Sequence, residues 1–388
     1  MSSPLRVLGD LPVATFLKEY WQKKPLLVRG ALPPEALAIT GDQLAGFALE
    51  DDVESRLITD NRGSWQLEHG PFSDKRFAKL PEKGWTLLVQ AVDQLDWHVH
   101  KLLSQFNFLP NWRLDDIMIS YAADQGSVGP HLDQYDVFLI QGEGTRRWQI
   151  SPDYNDQSPH LSDTPLSILS DFKAQQEWLL ETGDLLYLPP GYAHFGVAEG
   201  DCITYSIGFR APSIRESLSS FVDFLSQKPG ADQRFCDQDI QLNLNIGEIT
   251  QRELDHFQSW LLQLANDRSQ FELWFGQEMT RNKYAGPDDD EPPALTPPEI
   301  DDLLAELVAR QLIKTLDTRW AYIDAEGYTH LFVDGRQWQV STPLAHLLCS
   351  QAEVAGDAIC AQLLTESDQR VVAELLALTL LTDVEEGQ

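Results

Sequence analysis

Three side chains carry the strongest chemical signal in this chain of 388 residues: His131, Asp133 and His194. His131-Leu132-Asp133 follows Gly129-Pro130, and on an extended strand positions i and i+2 project to one face, so an imidazole and a carboxylate point together. Sixty-three residues on, the run Gly183-Asp184-Leu185-Leu186-Tyr187-Leu188-Pro189-Pro190-Gly191-Tyr192-Ala193-His194 reads as a strand, a Pro-Pro-Gly reversal and the start of the next strand. In a closed barrel His194 can face the first pair. Two neutral imidazoles and one carboxylate on one side of a metal leave the opposite positions open, which suits non-haem Fe(II) and the activation of O2. A 2-oxo acid would chelate two of those positions and leave one for oxygen. Its distal carboxylate would then need a buried cation.

Arg146 is the candidate for that cation. In Thr145-Arg146-Arg147-Trp148-Gln149-Ile150 the large apolar residues Trp148 and Ile150 share its parity, so an inward face for them turns Arg146 inward and Arg147 outward. The alternative is a surface pairing of Arg146 with Glu143. Asp124, in Tyr121-Ala122-Ala123-Asp124-Gln125 before the metal strand, could receive a cationic substrate group at the pocket mouth; a solvated loop aspartate is the plainer reading. His98-x-His100 is rejected as a ligand pair, because Ala91 to Phe106 reads as a helix and residues two apart on a helix do not share a face. His69, His160, His256, His330 and His346 have no partner at ligand spacing.

The elements that must position these groups follow from periodicity. Phe16, Leu17, Tyr20 and Trp21 recur at helical spacing within Val13 to Gln22, ahead of Pro25 and a short strand Leu26 to Val28. Gly84 to Phe108 reads as a second helical stretch. From Pro110 to about Arg210, short runs rich in Ile, Tyr, Phe, Val and Trp alternate with Gly, Asp and Pro, the pattern of a sandwich or barrel. After Ala211-Pro212 two helical faces appear, one through Ile214, Leu218, Phe221, Val222 and Leu225, the other through Leu254, Phe257, Leu261 and Leu264. So much apolar surface with no sheet of its own can be buried against the barrel or against a second copy, and a dimer contact is the favoured of the two readings. Pro287 to Pro298 reads PDDDEPPALTPP and forms an acidic, Pro-rich linker. Beyond it come a helix from Thr296-Pro297 through Arg310, three strands (Trp320 to Ile323, Tyr328 to Val333, Arg336 to Val340) and helices from Pro343 and Asp368.

Composition limits the partners. Lys plus Arg number 29 against 60 Asp plus Glu, a net charge of −31. Such a chain repels phosphate backbones and anionic lipids and attracts basic proteins. The last segment has a helix–ribbon–helix order like a winged helix. It carries 20 acidic and 5 basic side chains over residues 288 to 388, so it is expected not to read DNA. Four cysteines without a C-x-x-C pair suggest a reduced cytoplasm, and no apolar run approaches the length of a membrane span.

With these motifs assembled, the sequence resembles the JmjC/cupin-fold 2-oxoglutarate oxygenases, and most closely the bacterial ribosomal oxygenases that hydroxylate an arginine of the sixteenth large-subunit ribosomal protein. The resemblance is carried by the stretch Phe16-Leu17-Lys18-Glu19-Tyr20-Trp21-Gln22-Lys23-Lys24-Pro25-Leu26-Leu27-Val28-Arg29-Gly30, by the His131/Asp133/His194 triad, by Arg146 fifteen positions after the first ligand, and by Gly208-Phe209-Arg210-Ala211-Pro212. It implies a mainly β fold with added helices: a double-stranded β-helix (jelly-roll, cupin) catalytic domain over residues 1–211, and a helical dimerisation segment over 212–286. The linker 287–298 and a winged-helix-like α+β domain, 299–388, complete the chain. It also implies Fe(II), with 2-oxoglutarate and O2 as cosubstrates, a basic ribosomal protein as substrate, and a cytoplasmic homodimer. Relatives that hydroxylate histidine or demethylate lysine share the triad. Two further readings are a Zn or Mn cupin without 2-oxo acid chemistry and a non-catalytic adaptor.

Overall fold

The computed structural model describes residues 6–61, 63–238, 240–242, 245–284 and 294–384, so positions 287–293 of the expected linker lie outside the described residues. The chain separates into two compact units, Met1–Ala211 and Pro212–Gly387.

The first unit holds helix α1 (Val13–Glu19), β1 (Leu26–Val28), α2 (Gly41–Phe47), β2 (Ser55–Asn61), β3 (Ser64–His69), α3 (Asp74–Phe77), β4 (Trp85–Val89) and α4 (Trp97–Leu102). Then come the strands that build the barrel: β5 (Leu114–Ala122), β6 (His131–Leu132), β7 (Val137–Ser151), β8 (Gln176–Glu181), β9 (Leu185–Leu188) and β10 (Ala193–Phe209). They form one sheet in the order β1-β9-β7-β10-β5-β4-β2-β3, with β6 added to β10 and β8 to β7. Every pairing is antiparallel, as a jelly roll requires. Two long strands dominate. β10 pairs with β7 from Ala193↔Ser151 to Gly208↔Val137 and bends where the register shifts between Glu199 and Thr204.

The first-unit core is aromatic: Phe16, Phe106, Phe138, Tyr187 and Phe209 are buried together, and Trp21 stacks on Tyr187 with ring centroids 5.8 Å apart. Asp136, fully buried, fastens the amino-terminal segment to this core. It accepts from Gln22 Nε2 (2.9 Å), Tyr187 Oη (2.6 Å) and Arg113 Nη2 (3.2 Å). That explains the run around Trp21-Gln22 better than helix periodicity does, since Gln22 leaves the helix at φ 56° to reach the carboxylate.

The expected helix over Gly84 to Phe108 is corrected. Trp85–Val89 is strand β4, inserted between β2 and β5, with Thr86 to Val89 all buried; covered on both faces, it shows no alternation to betray it. Ala91 then turns the chain at φ 53°, and α4 begins only where Asp96 accepts from the Val99 N–H at 3.0 Å.

The second unit contains α5 (Ile214–Ser226), α6 (Gln251–Ala265), α7 (Arg268–Thr280), α8 (Pro297–Ala305), β11 (Gln311–Lys314), β12 (Trp320–Ala325), β13 (Tyr328–Val333) and β14 (Arg336–Val340). It closes with α9 (Thr342–Ser350), β15 (Glu353–Ala355), α10 (Gly356–Cys360), α11 (Glu366–Ala377) and β16 (Leu381–Asp383). The expected ribbon is β12-β13-β14, its second turn made by Asp334-Gly335, both at positive φ. Helix α7 lies against this ribbon, with Gly276 under the Phe332 ring where a larger residue would clash. The helix expected to run through Arg310 instead stops at Ala305, and Gln311–Lys314 enters a second sheet, β15-β11-β16. Three-residue partners 40 and 70 positions away leave no periodic trace in the sequence. Helix α6 buries none of its residues; Leu254, Phe257, Leu261 and Leu264 all remain about half exposed.

Candidate metal centre

β6 and β10 bring the two histidines side by side: His131 and His194 are register partners, and their ring centroids lie 4.2 Å apart. Asp133 follows β6 and is held in place by its own carbonyl, which accepts the Gly191 N–H at 3.0 Å from the Pro-Pro-Gly reversal. Its carboxylate is 3.9 Å from His131 Nε2 and 3.6 Å from His194 Nε2. One ligand atom from each of the three residues falls within 4.8 Å of the others, the one such cluster among the described residues.

Both imidazoles are oriented from behind. His131 Nδ1 is 3.0 Å from Gly129 O and His194 Nδ1 is 3.1 Å from Tyr192 O, so each Nδ1–H donates to a carbonyl and each Nε2 lone pair faces Asp133. Burial, with His131 beside it, pushes the His194 pKa down to about 4 against the pull of Asp133. It is therefore neutral at physiological pH. Two imidazole nitrogens and one carboxylate oxygen on one side are the donor set that suits Fe(II) with open positions.

Arg146 lies on β7, buried with Trp148 and Ile150, while Arg147 on the opposite face pairs with Glu177 (2.7 Å) and Glu199 (2.5 Å). Arg146 does not pair with Glu143. Its Nη1 donates to Ser120 Oγ and Thr204 Oγ1, its Nη2 to Gly196 O, each at 3.3 Å, and its guanidinium lies 4.9 Å from the Trp148 ring centroid. Nε has no hydrogen-bond partner among the described residues. Desolvation lowers the Arg146 pKa, and among the described residues no carboxylate meets the charge. A cation buried with only neutral neighbours and one orphaned N–H fits an incoming carboxylate. Gly196 makes the room: a Cβ there would lie 2.7 Å from both Arg146 Nε and Trp148.

Several residues of this site were not singled out from sequence. Ser120, Met118 and Asp116 alternate along β5, where Ser120 touches Arg146 and Asp116 accepts from Gln90 Nε2 at 2.7 Å. Arg56 closes the row, reaching Gln90 Oε1 (2.9 Å) and Met118 Sδ (3.8 Å). Tyr135, two residues past Asp133, is 42% exposed, yet desolvation of its phenol, then Asp133 and Asp116, hold its pKa above the usual range. The period-two pattern of β5 was the available signal.

Asp124 is not brought to the triad. Its Oδ1 accepts the Gly200 N–H and its Oδ2 the Gln125 amide, each at 3.0 Å, and these bonds hold its pKa low. Gly200 is six residues along β10 from His194. His98 and His100 sit on α4 as expected, His98 in solvent and His100 stacked on Trp97 with Nδ1 3.2 Å from Asp93 O.

The description of a JmjC domain matches residues 101–217. The ribosomal protein uL16 3-hydroxylase of Escherichia coli is 38% identical over 293 residues, covering 75% of this chain and 77% of that protein. The chain belongs to the JmjC ribosomal oxygenases. A probable ribosomal oxygenase of Haemophilus influenzae is 40% identical to this oxygenase over 61% of its length and 56% of the relative's. The crystal structure of E. coli YcfD superposes on it with a TM-score of 0.84 at 32% identity, covering 96% of this chain and 98% of that one. YcfD has also been solved with cobalt and 2-oxoglutarate, at a TM-score of 0.81, 31% identity and the same coverage.

Proposed function

We propose that this oxygenase is an Fe(II)- and 2-oxoglutarate-dependent hydroxylase acting on an arginine side chain of the basic ribosomal protein uL16. One observation carries the reading: the buried, carboxylate-free Arg146 shares a barrel with a His131/Asp133/His194 cluster whose Nε2 atoms are held toward Asp133. His131, Asp133 and His194 hold the metal, and Arg146 receives the distal carboxylate of 2-oxoglutarate. When bound, iron with 2-oxoglutarate and O2 supplies the oxidation, which releases succinate and carbon dioxide and turns a substrate C–H into C–OH.

The protein's own part is orientation and exclusion of water. The apolar barrel wall around Trp148, Ile150 and Leu186 keeps the reacting centre dry. Asp124 serves the site by fixing the loop that enters β6.

The net charge of −31 steers a basic ribosomal protein toward the enzyme at modest salt. The half-exposed apolar faces of α5 and α6 form the contact of a homodimer. The segment beyond the linker, 299–388, is a winged-helix-like domain that does not bind DNA. No described helix is long and apolar enough to cross a membrane, and the site of action is the cytoplasm, where ribosomes are assembled.

The test is mass spectrometry of uL16 after incubation with the enzyme, Fe(II), 2-oxoglutarate and O2. A gain of one oxygen atom on an arginine is expected. No gain on any ribosomal protein overturns the proposal, and a gain on histidine, or loss of a methyl from lysine, moves the enzyme to another branch of its superfamily.

A further inference from the structure

Between Asp124 and His131 the chain runs beside β10 without becoming a regular strand, and its bonds to β10 follow in order. Asp124 Oδ1 accepts from Gly200 N–H, Gln125 N–H donates to Ala198 O, and Ala198 N–H donates to Gly126 O, each at 3.0 Å. The next rung is a side chain: Ser127 Oγ donates to Gly196 O at 2.7 Å. Regular pairing then resumes at His131↔His194. The backbone does not supply this rung, because Gly129 sits at φ 81° and Pro130 has no N–H.

The Ser127 hydroxyl is buried and used twice. While donating to Gly196 O, it accepts the Gly129 N–H at 3.1 Å. Gly129 O is the group that orients His131 Nδ1, at 3.0 Å, and Gly196 O is the group that receives Arg146 Nη2, at 3.3 Å. One hydroxyl therefore joins the residue that aims a metal ligand to the residue that seats the guanidinium.

We infer that Ser127 is a positioning residue of this oxygenase: it sets the His131 imidazole and the Arg146 guanidinium through one shared rung, so that metal affinity and 2-oxoglutarate affinity depend on it together. The inference rests on the metal and cosubstrate roles proposed above. Removing the hydroxyl leaves the buried Gly129 N–H without an acceptor, and the Gly129–Pro130 turn must shift to find water. The His131 ring follows its acceptor, while Gly196 O is freed from its tighter side-chain donor and the floor under Arg146 loosens. Loss of a group that orients a metal ligand weakens metal binding by about 10- to 100-fold.

The experiment titrates metal-free wild type, Ser127→Ala and Ser127→Thr with Co(II), read by visible absorption and calorimetry, and then titrates the Co(II)-loaded proteins with 2-oxoglutarate. Ser127→Ala is expected to weaken Co(II) by about tenfold and 2-oxoglutarate in the same direction, and Ser127→Thr, which keeps the hydroxyl, to restore both. In turnover, the 2-oxoglutarate KM should rise more than kcat falls. Should Ser127→Ala not fold, Ser127→Cys, a same-shaped weaker donor, is expected to shift both constants by a smaller factor. Both constants within about twofold of wild type, even with a lowered Tm, overturn the inference, as does a change in one constant without the other. A wild type that fails to bind Co(II) overturns the metal-site reading itself and this inference with it.

Discussion

Replacing Arg146 by Met separates a cosubstrate anchor from a structural member of the core, because the two roles predict different outcomes for the ligand-free protein. The three groups that Arg146 touches all keep another partner: Ser120 Oγ also donates to Thr204 O, Thr204 Oγ1 also donates to Gln141 Oε1, and Gly196 O also accepts from Ser127 Oγ. The substitution thus orphans none of them. It forfeits three long hydrogen bonds, each with a net value of about 0.5–1.5 kcal/mol, and a contact with Trp148 of about 1 kcal/mol. Against this it removes a buried charge with no counter-charge, whose desolvation costs several kcal/mol. The two sums nearly cancel, so the Tm of the metal-free protein should stay close to wild type. Cosubstrate binding should collapse. Two charge-assisted bonds of about 1.5 kcal/mol or more each amount to roughly 3 kcal/mol, a hundredfold or greater rise in the 2-oxoglutarate Kd. Thermal unfolding with Co(II) and graded 2-oxoglutarate reads both quantities. An Arg146→Met protein that keeps near wild-type 2-oxoglutarate affinity refutes the anchoring role. One that is destabilised without ligand by more than about 3 kcal/mol shows instead that the arginine is a structural member of the core.

Three further predictions concern residues away from the site. Asp136→Ala should lower the stability of the first unit by about 3 kcal/mol in urea unfolding, since it leaves the part-buried Arg113 guanidinium without its counter-charge and the buried Tyr187 hydroxyl without its acceptor; a loss under about 1 kcal/mol would refute the fastening role given to this carboxylate. Lys314, its amine 5.3 Å from the Trp320 ring centroid, has its pKa pushed by burial from 10.5 to about 8, so above pH 8 the unfolded chain binds more protons there than the folded one, and stability rises with pH. Cys349 has the opposite sign: burial raises its thiol from 9.0 to about 11, and stability falls as the unfolded thiol ionises above pH 9. The second unit should therefore gain stability from pH 8 to 9 and level off, and Lys314→Met should abolish the gain; an identical pH profile in the variant counts against the assignment. Finally, Leu261→Glu with Phe257→Glu on the exposed face of α6 should convert a dimer to a monomer in light scattering with no loss of helix content, whereas an unchanged mass excludes that face as the contact.

How far the sequence could be read depended on the range of the interaction involved. The convergence of His131, Asp133 and His194 was legible because it rests on local rules: i and i+2 share a strand face for His131 and Asp133, and a Pro-Pro-Gly reversal places His194 at the head of β10. Arg146 was legible by the same parity, since Trp148 and Ile150 on its face are buried and Arg147 is not. β4 was misread as helix because the residues from Thr86 to Val89 are buried on both faces, which erases the alternation that marks a half-exposed strand. The sheet β15-β11-β16 was invisible for another reason, as its strands are three or four residues long and meet only through folding. For Asp124 the sequence leaves a substrate contact at the pocket mouth and a plain loop aspartate both open, because the N–H that its carboxylate accepts lies on β10, 76 residues away in sequence. Ser127 gave no signal at all, because a buried serine looks like any loop serine until its partner Gly196 is known.

Formal charge explains why these residues belong together. In the metal-free site the formal charges of Arg146 and Asp133 offset, as do those of Arg56 and Asp116 on Gln90, and burial keeps His194 neutral. A divalent metal ion leaves the site with an excess of two positive charges, and a dianionic 2-oxo acid brings it to neutrality. In a low-dielectric barrel an unbalanced pair of charges is worth several kcal/mol, so metal and cosubstrate should each raise the affinity of the other. A monoanionic 2-oxo acid lacking the distal carboxylate leaves Arg146 unmatched beside Trp148 and should bind more weakly to the metal-loaded wild type by a factor close to that lost in Arg146→Met. For the variant, the two acids should bind alike. If the monoanion still binds wild type as tightly as the dianion does, Arg146 does not sense the second charge, and the balance described here is not what selects the cosubstrate.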